Sequence, residues 1–423
     1  MKKKIIIGLA ALAIIATTMT SCGRQGDDYI TLHMWHIFGD VGRGEPMQEA
    51  ARRFEAANPG VRVVITTEAN DPYKIRLRTI SAANFPDVFH SWGGGWLQSF
   101  VDAGFVADIT DEVNAVLHLT NPEMVALSNF GGRNFGIPYI AASTILYYNT
   151  EIFARLGLSA PQTFSELEHV ANVLMANGII PFAEANLTMW PGAQHFVLLS
   201  MRLGGSDVFE RANRGEIPFT YPAFIRAGEM VGEMVNAGWF PSGVNGLNWD
   251  TGQSRIMFYT EQAAMILQTS AFLGIARNEN RDFYDSRLGL SLFPAIEGSP
   301  GQMTDILGGA NTFSVSAHSS HPELAKALAI FMATDPQLQQ TFLDNGFVAA
   351  RTGLNPPDAL VATALDQLAG ATGFQAFVDQ ALSPMLSDTH RSTVQGLFGG
   401  TLTSGQAADA MQSTFDEFGG DFL

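Results

Sequence analysis

The order of apolar and polar residues predicts alternating strands and helices at the start of the chain. Residues 30–35 alternate apolar and mixed side chains, which is typical of a strand. A helix follows, with Pro46 in its first turn and an Asn-Pro-Gly stop at 58–60. The apolar face of this helix comprises Met47, Ala50, Ala51 and Phe54.

The same alternation continues over the next thirty residues. A β-branched run over 61–67 predicts a second strand, residues 74–83 a helix and residues 87–92 a third strand. Strands separated by helices usually pair in parallel through crossovers. We therefore predict an α/β fold with a largely parallel sheet.

Hydrophobic patterns typical of strands and of helices recur in the rest of the chain. About 400 residues are too many for one compact core, so two lobes are expected. The patterns predict strands over 144–149 and 288–293, a strand beginning near 264, helices over 150–156 and 163–176, an amphipathic helix from Pro322 and a mainly helical segment over 373–418.

The N-terminus has the composition of an export signal. Three lysines at 2–4 precede an apolar run over 5–19, which is short for a bilayer span of about 20 residues. Cys22 is the one cysteine of the sequence and cannot pair within the chain. Residues 19–22, Met-Thr-Ser-Cys, resemble a bacterial lipobox, which implies a signal peptide over 1–21, a lipid-anchored tether over 22–26 and an exported body. A plain signal peptide or an N-terminal anchor is the alternative.

The charge balance excludes some partners. The chain carries 24 Lys and Arg against 41 Asp and Glu, a formal net charge of −17. Nucleic acid binding needs clustered cations, so we expect no nucleic acid partner. Polyanionic ligands are also disfavoured, although a local arginine pocket could override the overall field.

Several short blocks recur in the order typical of one family. After a first strand that ends at Trp35, they are FEAANPGV at 54–61, PDVFHSWGGG at 86–95, GIPY at 136–139, LYYN at 146–149, PQTFSEL at 161–167, EQAAM at 261–265 and GGAN at 308–311. In this order the blocks resemble the family 1 extracellular solute-binding proteins of carbohydrate ABC importers, the group that includes maltose-binding protein. The resemblance covers nearly the whole chain after the signal.

The resemblance implies a two-lobed periplasmic-binding-protein fold of type II, with a ligand cleft at the hinge. It places lobe one at 27–141 plus 313–345 and lobe two at 142–312 plus 346–423. It implies a monomer that closes on a neutral mono- or oligosaccharide and delivers it to the transmembrane subunits of a permease. Neither catalysis nor a cofactor is expected. The sequence leaves open whether the protein faces a periplasm or the outside of a single membrane.

Candidate ligand contacts in the first lobe lie where strands end. Ligands of open α/β sheets bind beyond the carboxyl ends of strands, and indoles offer platforms to the C–H faces of a sugar. Alternatively, Trp92 caps the core, the glycines form a turn, Trp35 points inward and Trp96 is core. The candidates are Trp35, His36, Ser91, Trp92, Gly93 and Trp96.

Candidates in the second lobe combine amides, carboxylates and aromatic rings. Carboxylate and amide groups can hydrogen-bond to neighbouring sugar hydroxyls. An ordinary polar loop is the alternative for the first three. The candidates are Glu184, Asn186, Trp190, Trp249, Asp250, Gln268, Ser270, Phe272, Gly309 and Asn311.

Other chemistries fit the sequence less well. His33 and His36 are three apart on a strand and point to opposite faces, so no metal site is predicted. The Gly93–Gly95 run lacks the Lys-Ser/Thr of a phosphate loop. Two alternatives stay open: a non-sugar solute such as a polyamine, peptide or phosphorylated polyol, and a secreted glycoside hydrolase.

Overall fold

The structure is a computed structural model and describes residues 29–418. The predicted signal peptide, Cys22 and the tether over 22–26 lie outside these residues. The strands are β1 Ile30–His36, β2 Val61–Thr67, β3 Val88–Trp92, β4 Asn129–Phe130, β5 Arg133–Asn134, β6 Ile137–Asn149, β7 Ile180–Phe182, β8 Ala263–Thr269, β9 Leu288–Ser291, β10 Asp305–Val315 and β11 Gly373–Ala376.

Helices separate most of the strands along the described chain, and three helices follow its last strand. Short 3₁₀ turns lie at Ala82–Asn84, Leu117–Leu119 and Val244–Gly246. The α-helices are α1 Gly44–Ala57, α2 Asn70–Thr79, α3 Gly95–Asp102, α4 Thr110–Val116, α5 Pro122–Ala126, α6 Thr150–Leu156, α7 Phe164–Ala176, α8 Trp190–Gly204, α9 Val208–Asn213, α10 Pro222–Asn236, α11 Gln253–Tyr259, α12 Ala271–Glu279, α13 Arg281–Arg287, α14 Pro322–Thr334, α15 Pro336–Asp344, α16 Ala359–Ala369, α17 Val378–Ala381, α18 Pro384–Phe398 and α19 Ser404–Phe418.

Local signals account for most of the predicted elements. The four apolar residues predicted for the face of α1 are the buried residues of that helix. The side chain of Asn149 caps α6 by accepting hydrogen bonds from two backbone N–H groups, and Gly157 ends that helix at a φ of 68°. Thr163 caps α7 through the backbone N–H of Glu166, as predicted.

Three predictions about secondary structure need correction. The helix predicted over 74–83 instead covers Asn70–Thr79 and is followed by extended backbone at Ile80. The segment predicted as mainly helical from residue 373 begins with β11, because Gly373–Ala376 pairs with β10. The late strand ends at Ser291 rather than at 293.

The main sheet has mixed strand directions, so the prediction of a largely parallel sheet was wrong. Its order is β2-β1-β3-β10-β6-β8-β7, with β11 beside β10 and β9 beside β6. The parallel pairs are β1 with β2 and β3 at one end, β7 with β8 at the other end, and β10 with β11. In the middle, β10 and β6 run antiparallel to each other, β10 antiparallel to β3, and β6 antiparallel to β8.

Two long strands carry the chain between the halves of this sheet. β6 has 13 residues, pairing with β10 over its first half and with β8 and β9 over its second. β10 has 11 residues and pairs with β11 at its start and with β3 at its end. Because β6 and β10 run in opposite directions between the halves, the centre of the sheet is antiparallel.

Separate hydrophobic cores flank these crossing strands. We call the half built on β1–β3 the first lobe; its core includes Leu32, Phe54 and Phe313. The half built on β7–β9, with α8, α10 and α17–α19 packed together, is the second lobe; its core includes Phe153 and Phe224. This arrangement confirms the predicted two-lobed α/β fold. The residue boundaries predicted for the lobes stay a prediction.

Within residues 29–418, no helix combines the length and the apolar character that membrane crossing requires.

Candidate functional site

A cavity of about 630 Å³ lies between the two lobes. Ligand pockets usually measure roughly 300–1,000 Å³, so its size suits a small molecule. The first lobe contributes the β1–α1 loop, the β2–α2 connection and Trp92. The second lobe contributes Trp190, Trp249, parts of α8 and α12 and the segment around α17, while Asn311 of β10 and Ala142 of β6 line it from the crossing strands. We call this cavity the cleft.

Three indole rings line the cleft, and they differ in accessibility. Trp92 at the end of β3 is 3% exposed, and the ammonium of Lys74 lies 4.6 Å from its ring centroid. Trp249 is 8% exposed and has the guanidinium of Arg255 at 4.7 Å. Trp190, at the start of α8, is half-buried and meets Trp249 edge to face at 5.6 Å. Trp190 is therefore the most accessible of the three platforms.

Neutral polar groups are available beside the indoles. Gln194 is buried on α8; its Oε1 accepts a hydrogen bond of 2.7 Å from the Thr144 hydroxyl. Its Nε2 is buried and has no hydrogen-bond partner within residues 29–418, which leaves one amide donor unsatisfied beside the cleft. Asn311 is half-buried opposite Trp92 in the β3–β10 pair, at an irregularity in the pairing of β10 with β6.

The cationic side chains that line the cleft all have carboxylate partners. Arg43 pairs with Asp40 at 2.7 Å, and Arg255 pairs with Glu279 at 2.8 Å through a two-pronged contact. The third cation is Lys74, whose Nζ lies 3.3 Å from Oδ2 of Asp379. No cleft cation is thus left for an anionic ligand group.

Within the described chain, five carboxylates line the cleft, against three cations. Asp250 lines it; partial burial and the negative charge of Asp71 raise its pKa above the ordinary value. Among residues 29–418, no three His, Cys, Asp or Glu side chains are grouped so that they could hold a metal ion.

Five of the residues predicted as ligand contacts line the cleft. They come from β3, α8, the segment before α11 and β10, and no two of these elements are consecutive in the chain. The five are Trp92, Trp190, Trp249, Asp250 and Asn311.

The remaining first-lobe candidates lie behind the cleft wall. Trp35 is buried beneath the guanidinium of Arg76, 3.8 Å from its ring centroid. His36 is buried, its Nδ1 accepts a hydrogen bond from the backbone N–H of Phe38, and burial lowers its pKa to about 4. The buried hydroxyl of Ser91 lies 2.7 Å from that of Ser314. Their roles in ligand contact stay predictions.

The glycine run after β3 approaches other chain segments. A Cβ on Gly93 would collide with Leu127, and one on Gly94 or Gly95 would collide with α17 and the residue after it. Trp96 is buried and packs edge to face against Trp92 at 5.0 Å. These contacts account for the glycines without a ligand.

The other second-lobe candidates are buried, and the side chains of Glu184 and Asn186 have protein partners. Glu184 pairs with His195 at 3.1 Å. The side chain of Asn186 bonds to Asn245 and to the backbone N–H of Gly192. Their ligand roles also stay predictions, as do those of the four remaining candidates away from the lining. These four are Gln268 and Ser270, both 1% exposed, Phe272 in contact with Tyr147, and Gly309 beneath Phe377.

Sequence reasoning missed several residues of the cleft. Lys74 had a signal, because it and Lys326 are the two lysines beyond residue 4. Gln194 and Asp379 lie within helices and carry no motif, so nothing in the sequence distinguishes them from surface residues. The aromatic residues Phe347 and Phe377 line the cleft without having been predicted.

The fold and the cleft together define a two-lobed solute-binding protein, because strands that cross between lobes place a ligand-sized cavity at the crossing. The sequence profile of one family, the bacterial extracellular solute-binding proteins, matches residues 39–339. The chain belongs to this family, which confirms the resemblance seen in the sequence blocks.

Two curated relatives align with most of the chain. An uncharacterized ABC transporter extracellular-binding protein of Pyrococcus horikoshii is 22% identical over 353 residues, which cover 80% of this chain and 77% of the relative. The multiple sugar-binding protein of Streptococcus mutans is 22% identical over 356 residues, 82% of each chain.

A solved structure supports the same fold. It comes from work on xylan utilization by the thermophilic bacterium Caldanaerobius polysaccharolyticus and superposes with a TM-score of 0.84 at 28% identity. The match covers 91% of this chain and 99% of that one.

Proposed function

We propose that this protein captures a neutral mono- or oligosaccharide outside the cell and delivers it to the permease of an ABC importer. The observation that carries the proposal is the lining of the cleft. Three indoles border it, an unpartnered amide donor lies beside them, and each lining cation is already neutralised. Aromatic faces and neutral hydrogen-bonding groups match the C–H faces and hydroxyls of a sugar.

Capture works by closure of the two lobes. A ligand that touches Trp92 and Trp190 contacts both lobes, and it can do so fully only when they are close together. These extra contacts stabilise the closed state relative to the open state and shift the population towards it. A micromolar affinity corresponds to about −8 kcal/mol, which a few stacked rings and satisfied hydroxyls can supply.

The charges separate this proposal from its rivals. A phosphorylated polyol needs a free cation, and the three cations of the lining are all paired with carboxylates. A polyamine needs free carboxylates, and among the described residues the lining offers one that forms no ion pair, the exposed Asp250. The names of relatives that bind sugars favour carbohydrate further.

We also propose that the protein is a monomeric lipoprotein attached through Cys22, at the outer face of the cell membrane or within a periplasm. The family name, extracellular solute-binding protein, supports export. Replacing Cys22→Ala should abolish labelling by radioactive palmitate in cells and release the protein from the membrane fraction. Equal labelling of the variant would contradict lipid attachment at this residue.

A thermal-shift screen tests the ligand class. A ligand that binds only the folded protein raises the unfolding midpoint. The panel contains neutral mono- and oligosaccharides, spermidine, short peptides and glycerol phosphate. We expect a carbohydrate to raise the midpoint and to be recovered chemically unchanged. A shift with only a charged solute would refute the sugar assignment, and cleavage of the sugar would support the hydrolase instead.

A further inference from the structure

One end of the cleft is closed by a charged contact between the lobes. Lys74 of α2, from the first lobe, reaches Asp379 of α17, from the second, and both residues line the cleft. The Lys74 side chain is 8% exposed and that of Asp379 is 17% exposed, so water screens this pair little. The pair lies beside Trp92, because the Lys74 ammonium sits over its ring.

More ion pairs continue this contact away from the cleft. Arg391 of α18 lies 3.4 Å from Asp71 of α2, and Arg78 of α2 lies 3.4 Å from Asp388 of α18. Neither of these pairs lines the cavity, and the Arg78 and Asp388 side chains are 36% and 44% exposed. The lining therefore includes Lys74 and Asp379 but not the two ion pairs beyond them.

Backbone contacts support the same closure. A Cβ on Gly94 would lie 2.8 Å from the Cα of Ala381, and one on Gly95 would lie 2.7 Å from its carbonyl oxygen. The first lobe can approach α17 this closely only because these residues have no side chains. We call the set of Lys74, Asp379, Gly94 and Gly95 the end wall.

The β1–α1 loop touches Asn278 of α12, from the second lobe, elsewhere along the cleft, while its other contacts stay within the first lobe. The side-chain amide of Asn345 donates to the carbonyl of Gly42, and a Cβ on Gly42 would collide with Phe347 and Asn278. Arg43 packs against the rings of Phe38 and Phe347 at 3.9 and 4.4 Å. Contacts between the lobes at two places leave a cleft of limited extent.

We propose that Lys74, held by Asp379, sets how many sugar units the protein binds. This proposal rests on the proposed carbohydrate function. The Lys74 ammonium lies over the ring of Trp92, and both residues line the cleft, so a sugar chain that reaches this indole from the cleft ends there. Removing the side chain beyond Cβ uncovers the indole face and lengthens the site at this end. Lys74 is then a specificity-determining residue for ligand length.

Calorimetric titration of the purified protein tests the proposal. The ligands are linear xylo-oligosaccharides of one to six units and malto-oligosaccharides of one to seven units. For Lys74→Ala we expect the best-bound length to increase by at least one unit. The affinity ratio of the longer to the shorter ligand should rise at least tenfold. Lys74→Met keeps most of the stem without the charge, and it should retain the wild-type length preference.

Lys326→Ala is the matched control, because Lys326 pairs with Glu112 away from the cleft. Its length profile should equal that of the wild type. A Lys74→Ala protein that unfolds cooperatively but keeps the wild-type affinity ratios would overturn the end wall and leave the carbohydrate function intact. Failure of the wild type to bind any member of either series or any neutral carbohydrate of the thermal-shift panel would overturn both proposals.

Discussion

The two walls of the cleft present their aromatic rings in different ways. On the first lobe, Trp92 lies in a buried aromatic cluster with Tyr73 and Trp96, and Lys74 covers its exposed side. On the second lobe, Trp190 projects half-buried at the start of a helix and rests on Trp249. The first wall is part of the core of its lobe, whereas the second offers a ring that the core does not need.

This difference indicates that the two walls contribute differently to stability and to ligand binding. A residue embedded in a core contributes to stability and binding together, and a peripheral platform contributes to binding alone. Substitutions in the two walls can separate the contribution to stability from the contribution to binding.

Replacing Trp92→Ala should affect both properties of the first wall. Loss of a buried tryptophan typically costs about 3–5 kcal/mol of unfolding free energy. Carbohydrate affinity should fall at least tenfold because the ring borders the cleft. Urea unfolding and calorimetric titration measure the two effects. Unchanged affinity in a cooperatively folded variant would exclude Trp92 as a ligand platform.

Replacing Trp190→Ala should weaken binding and leave the fold nearly unchanged. Loss of a well-packed aromatic contact costs about 2 kcal/mol of binding free energy, or about thirtyfold in affinity. Calorimetry of the variant measures this loss, and Trp190→Phe, which keeps an aromatic face, is the control. A stability loss as large as that of Trp92→Ala, with intact binding, would reverse the roles assigned to the two walls.

Replacing Gly95→Ala should disturb the contact between the lobes. The added Cβ would lie 2.7 Å from the carbonyl oxygen of Ala381, so one segment must shift. Overpacking of this kind costs about 1 kcal/mol or more of unfolding free energy. The control is Gly232→Ala in α10, where an added Cβ meets no atom within 4 Å. Equal urea midpoints for both variants would show that the contact between Gly95 and Ala381 tolerates a side chain.

Buried histidines should make stability depend on pH in both lobes. Burial lowers the pKa of His36 in the first lobe and of His390 in the second to about 4, from 6.5. The unfolded chain therefore binds protons that the folded chain does not. The free energy of unfolding should be highest above pH 6.5 and decline as the pH falls towards 4.

The expected loss between pH 7 and pH 6 is less than about 1 kcal/mol for each histidine. Urea unfolding of the wild type and of His390→Phe at both pH values measures it. The variant should show a smaller dependence than the wild type. Stability that rises as the pH falls over this interval would contradict neutral buried histidines.

Local patterns predicted the elements of the fold better than their pairing. The face of α1, the bounds of α6 and the strand at Val61–Thr67 follow from residues close together in sequence. Strand direction depends on how β6 and β10 cross between lobes, and hydrophobic periodicity carries no record of this. Most of the predicted strands and helices were therefore correct, whereas the prediction that the strands pair largely in parallel was wrong.

The cleft was predictable where a strand end or an indole marked it. The strand-end rule found Trp92, and composition drew attention to Trp190 and Trp249. The sequence could not show that the glycine run at 93–95 approaches α17 and Leu127. Lys74 and Asp379 are 305 positions apart, so their pairing becomes visible only in the folded chain.

Small-angle X-ray scattering of the purified protein, with and without the best carbohydrate of the thermal-shift panel, tests the central claim most directly. Closure of two lobes around an uncharged sugar predicts a smaller radius of gyration at saturating ligand. An unchanged radius with every carbohydrate, together with contraction around a charged solute, would contradict it.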